Sequence, residues 1–263
     1  MSADRARAVS GDLPPGPVAL EGRAGVPFGR TLRGELRKVV DTRAGLWMVV
    51  AMAALAAIVM AALVIWGEPA DATYAGLLGL AVLPLAILLP MLGIMAATAE
   101  WSQRTGLVTF TLEPRRERVV AAKAIASVLV ALAVVAVAFA AAALVNVTAG
   151  AGTWDLTWAA AGGVVLGLVL YVLQGVAFGL LFLNTPLAIV AVLVLPTLWG
   201  IATQLIDRLE GIGRWVNLDR VVEPLFVGEM TGRGWAQLGT GVTAWLLLPL
   251  AVGTYRVLTR EVK

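Results

Sequence analysis

The side chains able to do chemistry are few. The 263-residue chain has no Cys and no His, and its four Ser are Ser2, Ser10, Ser102 and Ser127. Thiolate chemistry, zinc ligation and imidazole acid–base catalysis are therefore removed, and a nucleophile–base pair is hard to assemble. No G-x-x-x-x-G-K-[ST] run occurs, and none of the three Lys follows a Gly, so the chain makes no phosphate-cradling loop of its own. What remains is charge. Eight charged residues crowd the stretch EWSQRTGLVTFTLEPRRERVVAAK, Glu100 to Lys123, while the 28 residues from Ala72 to Ala99 hold none. Arg115, Arg116 and Arg118 suit an anionic leaflet. The interspersed Glu100, Arg104, Glu113 and Glu117, with apolar residues between them, suit a protein surface better. The chemistry on offer is electrostatic docking.

Such a stretch needs a scaffold. Hydrophobic residues make up 60% of the chain and charged residues 14%, with a mean hydropathy of +0.88. A soluble domain carries roughly 25% charge. Lipid is the solvent this composition fits, and a helix needs about 20 apolar residues to cross the hydrocarbon core. Charge-free runs of that length predict an all-α integral membrane protein with six spans at about 46–66, 74–99, 124–149, 158–183, 187–206 and 235–255. The uncharged run 156–206 would reach about 76 Å as one helix, more than twice the bilayer. Asn184-Thr185-Pro186 is the expected break, with Pro186 in the first turn of the next helix.

Arg and Lys set the orientation. With a cytoplasmic N-terminus, sixteen basic residues fall on inside segments and four on outside ones. Both termini are therefore expected inside, in a bacterial plasma membrane; Arg outnumbers Lys 17 to 3, as a GC-rich bacterial genome would give. Residues 1–27, rich in Pro, Gly and Arg, read as a disordered cytoplasmic tail. Phe28, Leu32, Leu36, Val39 and Val40 share a 120° arc of a helix whose other side carries Arg30, Arg33, Arg37 and Lys38. That pattern predicts an amphipathic interfacial helix. The half-apolar segment 207–235 predicts one or two short helices dipping back into the outer interface.

No Asp, Glu, Lys or Arg falls inside the six expected spans, which argues against ion-coupled transport. Gln174, Thr197 and Gln204 remain as candidate path-lining residues; Gln174 reads equally as an interhelical hydrogen bond. Gly163-x-x-x-Gly167 and Gly175-x-x-x-Gly179 predict two close-packing faces about 120° apart, meeting different neighbours. No metal and no nucleic-acid partner is expected.

The run Glu100, then Arg104-Thr105-Gly106, then Glu113-Pro114-Arg115-Arg116 and Lys123, together with GELRKVVDTRAG before the first span, resembles the permease subunits of ABC-2 type ABC transporters, particularly actinobacterial members. The resemblance covers Phe28 to Lys263. It implies that the stretch after span two is the coupling loop, docking on a separate ATP-binding subunit and braced by the N-terminal helix. It also implies two permease copies with ATP and Mg held on the partner ATPase, and export of an amphiphilic drug, lipid or peptide. The competing expectations are a non-transporting membrane anchor or scaffold subunit, and a stand-alone secondary transporter.

Overall fold

The structure is a computed structural model that describes residues 27–103 and 115–259. Helix is the only regular structure among them. We number the helices α1 (Phe28–Val40), α2 (Arg43–Trp66), α3 (Tyr74–Ser102), α4 (Arg116–Thr148), α5 (Trp158–Phe182), α6 (Thr185–Leu205), α7 (Asp207–Val216), α8 (Leu218–Val227) and α9 (Gly232–Thr259). Six of them, α2 to α6 and α9, are long and apolar enough to cross a membrane. They fall on the six expected spans: α2, α3, α6 and α9 extend two to four residues past their spans at one or both ends, α4 begins eight residues early, and α4, α5 and α6 each stop one residue short.

The same chemistry starts most of the helices. Thr42, Thr73, Thr157 and Thr231 each accept a hydrogen bond from the N–H three residues on, at 3.0–3.1 Å. Asn184 does the same for Leu187 N at 3.0 Å, closing an N-terminal turn that apolar side chains leave open. The break in the long uncharged run lies where expected. Leu183 takes a left-handed conformation at φ 52°, Asn184 caps, and Pro186 sits in the first turn of α6.

The centre of the bundle is the α3–α5 pair. About 61% and 67% of their most apolar windows are buried, against 17% for α2 and for α6. Small residues allow the approach. A Cβ on Gly175 would collide with the Pro90 carbonyl, and one on Gly93 with the Val172 carbonyl. Gly163, at the other end of α5, lies against the Leu225 carbonyl of α8, and Gly167 against Phe226. The two glycine pairs thus meet different neighbours, α3 and α8, as their spacing predicts.

The helices run between two ends. At one, Ala151 N donates to Ala72 O at 2.9 Å and Tyr74 N to Thr153 O at 3.1 Å, tying the α2–α3 connection to the α4–α5 connection. At the other, Arg116 Nη1 donates to Val257 O at 2.7 Å, Arg256 donates to Leu181 O, and the hydroxyls of Thr98 and Thr185 share a hydrogen bond at 2.7 Å. Helix α9 widens into a π turn at Thr243–Leu247. Pro249 follows, and its missing N–H cannot close an ordinary helical bond to Trp245 O. The segment 207–227 forms two short helices, α7 and α8, within the range expected for it.

Candidate functional site: a buried ion cluster

The apolar face of α1 carries one carboxylate. At 100° per residue Glu35 falls beside Phe28 and Val39, on the stripe that packs toward α4. Burial of a lone carboxylate requires a cation, and α4 supplies it. Lys123 Nζ lies 2.8 Å from Glu35, 2.7 Å from Glu100 of α3 and 2.9 Å from the Ala96 carbonyl. All three donors of the ammonium are used. Lys38, one turn after Glu35, closes the ring at 2.6 Å from Glu35 and 2.9 Å from Glu100. Glu100, Lys123 and Glu35 are only 2%, 3% and 5% exposed.

Two carboxylates and two ammoniums balance to zero. The network is satisfied at every group, the condition under which buried charge is tolerated. Lys38 is the one member reaching solvent, its side chain 43% exposed. Burial opposes its charge, but the Glu100 and Glu35 carboxylates override that and hold its pKa above the ordinary lysine value. Three separate elements are joined: α1, the last turn of α3 and the early turns of α4. The last two are the helix ends flanking residues 104–114.

The cluster corrects two expectations. An absence of ionisable groups held only for spans beginning at residue 124. Helix α4 starts at Arg116, eight residues earlier, which places Lys123 inside the helix and against the carbonyl of Ala96 on α3. Glu100, expected with the loop, lies in the last turn of α3 with its carboxylate turned inward. Arg115, at the N-cap of α4, is exposed, and Arg116 is bound to Val257 O. Arg104, Thr105, Gly106, Glu113 and Pro114 lie outside the described residues, as does the tail before Pro27.

On α1, Phe28, Leu32 and Leu36 are half-buried and Val39 is buried, whereas Val40 at the edge of the arc is 49% exposed. The arc therefore packs largely on protein. Sequence reasoning missed Glu35 and Lys123 as partners. The available signal was Glu35 itself, a carboxylate interrupting the apolar stripe between Phe28 and Val39.

Of the candidate path residues, Thr197 and Gln204 line a cleft of about 1190 Å³ at the opposite end, between α3, α5, α6 and α8. Its apolar wall includes Leu78, Val82 and Val164, and its rim holds Asp155, Asp219, Arg220 and Glu223. Tyr171 donates to Asp219 at 3.0 Å across this cleft, fixing α8 on α5. Gln174 is buried and lies beside Gly175 where α5 meets α3, apart from the cleft. Among the described residues no group of His, Cys, Asp and Glu could hold a metal ion. Set against known proteins, the chain matches no family model and no curated protein.

Proposed function

We propose that the chain is the permease subunit of an ATP-driven exporter of the ABC-2 type, driven by a separate ATPase that binds ATP and Mg. The observation that carries this reading is the four-residue ion cluster uniting α1 with both helix ends that flank residues 104–114. A loop that merely connects two spans needs no such brace. A loop that receives force from a partner does, because motion there must reach α3 and α4 as rigid bodies. In this reading Glu100, Lys123, Glu35 and Lys38 are positioning residues, while Arg104, Glu113 and Arg115 meet the ATPase.

The remaining parts follow. The basic end, carrying α1 and the 104–114 loop, faces the cytoplasm of a bacterial cell with both chain termini, and α1 lies along the inner surface. Helices α7 and α8 re-enter the outer leaflet. Two copies assemble, with α2 and α6, the least buried spans, free to meet a partner or lipid. The cleft of about 1190 Å³, apolar on its wall and charged on its rim, suits an amphiphilic substrate such as a drug, lipid or peptide.

A pull-down of the tagged protein in mild detergent from its native host tests this. A stoichiometric P-loop ATPase is expected, lost when Arg104 and Arg115 are changed together to Ala. Recovery of the chain alone, under conditions that keep other membrane complexes whole, would favour a scaffold or an autonomous transporter instead.

A further inference from the structure

A second cavity, of about 850 Å³, opens between α1, the start of α2 and the end of α3. Its lining follows α3 from Glu100 to Leu92, about 12 Å of helix. The part toward the bundle is apolar, formed by Met48, Leu92 and Met95, and the part toward α1 carries Arg30 and Lys38. Charge accounting separates these two cations. Lys38 and Lys123 match the carboxylates of Glu35 and Glu100 one for one. Arg30 is exposed and meets no carboxylate among the described residues. Among the described residues the cavity mouth therefore carries one cation, Arg30, that no carboxylate matches, above an apolar shaft.

Gly34 adds a steric clue. It lines the cavity from the middle of α1, and a Cβ built there meets nothing within 4 Å. Glycine in an exposed helix interior costs about 1 kcal/mol relative to alanine, and no backbone approach explains it here. Its effect is to leave the space beside Arg30 open.

We propose that this cavity is a binding site for one anionic phospholipid of the adjoining leaflet, its phosphate held by Arg30 and an acyl chain laid along Met48, Leu92 and Met95. Charge complementarity selects the occupant. A guanidinium pairs with phosphate in a bidentate geometry, and the apolar shaft accepts a chain that a free phosphate lacks. A zwitterionic lipid would bring a further cation to a mouth already positive. The leaflet is the inner one if the proposed orientation holds, but the site does not depend on the ATPase.

Native mass spectrometry of the purified protein, titrated in detergent with phosphatidylglycerol or phosphatidylcholine, tests the proposal. One saturable phosphatidylglycerol per chain is expected, with phosphatidylcholine retained at least about tenfold more weakly. Loss of one charge-assisted contact in Arg30→Gln should weaken phosphatidylglycerol binding about tenfold. Gly34→Leu should also weaken it, by placing a side chain in the open space beside Arg30 at the mouth. Both positions are exposed, and leucine is the better helix former, so both variants fold. Equal retention of the two lipids, or wild-type retention by Gly34→Leu, would overturn the site. Displacement by glycerol phosphate alone would also overturn it, reassigning the pocket to a soluble anion. Because binding is read without any ATPase, failure here leaves the transport proposal standing, and failure of the pull-down leaves the lipid site standing.

Discussion

The two ends of the helical bundle are held by different physics. At the end carrying residues 104–114, three helices are joined by buried charge: Glu35, Lys38, Glu100 and Lys123. At the opposite end the joints are close backbone approaches and neutral donors. Gly163 meets the Leu225 carbonyl, Tyr171 binds Asp219, and backbone N–H groups of one connection bind carbonyls of the other. Buried ion pairs stabilise little over an apolar replacement, yet they tolerate no missing partner. Glycine contacts are the reverse, since they fail when atoms are added. An end built of mutually dependent charges moves as a unit or comes apart, which suits a place where force enters. An end built of close packing can yield locally around a cleft.

Removing single groups sharpens that contrast. The largest effect is expected for Lys123→Ala, which leaves Glu35 and Glu100 buried with only Lys38 between them. It should lower stability by about 3–5 kcal/mol, read as a fall in melting temperature in detergent. Lys38→Ala, at the exposed corner of the same cluster, should cost less, because water can enter the vacated corner and reach the two carboxylates. Equal losses in the two variants would mean that exposure of Lys38 does not lessen its weight and that burial does not grade the members of the cluster.

Gly163→Leu attacks the other end. The side chain would meet backbone of α8, and overpacking of this kind costs about 1–3 kcal/mol. Limited proteolysis should then cut 207–231 faster while the α1–α4 contact stays protected. A smaller change is expected from Tyr171→Phe, which deletes one hydrogen bond to Asp219 for about 1 kcal/mol. Its signature is faster amide exchange confined to α8; exchange spreading to α1 would show the ends to be coupled.

Titration separates the ends by sign. The Lys38 pKa is raised, so its contribution is complete below the ordinary lysine value near 10.5 and is lost as pH climbs through the higher folded value. Asp155, at the other end, is opposed by burial, but the Ala75 N–H and Thr73 hydroxyl prevail and hold its pKa below the ordinary 3.8. Its contribution is present above 3.8 and is lost as pH falls through the depressed value. The melting difference between wild type and Lys38→Met should therefore close only at strongly alkaline pH. That between wild type and Asp155→Asn should close only below about pH 4. A closure of either gap near neutrality would contradict the pairing.

Much of the fold was legible because lipid imposes a simple rule: long uncharged runs must be helices. The break at Asn184 and Pro186 and the two glycine pairs of α5 were read from turn chemistry and side-chain size alone. The ion cluster was not, because its members are 23 to 88 residues apart in pairs such as Lys123 with Glu100 and Lys123 with Glu35. Hydropathy ends a span at its first charge, so Lys123 and Glu100 fell outside the expected spans although both lie in the helices that form them. Arg30 and Lys38 likewise looked alike on one basic face, and only the placement of Glu35 and Glu100 shows that Lys38 is paired within the cluster.

The absence of native Cys makes a direct test of the central claim available. Arg115→Cys places a single thiol at the exposed start of α4, and Glu68→Cys places one at the exposed opposite end. Each variant would be treated with a short thiol-to-amine crosslinker in native-host membranes. The account predicts that Arg115→Cys captures a nucleotide-binding polypeptide in a band that Glu68→Cys does not give. Capture of the same polypeptide from both ends, or none from position 115 while the chain remains folded and labelled, would contradict it.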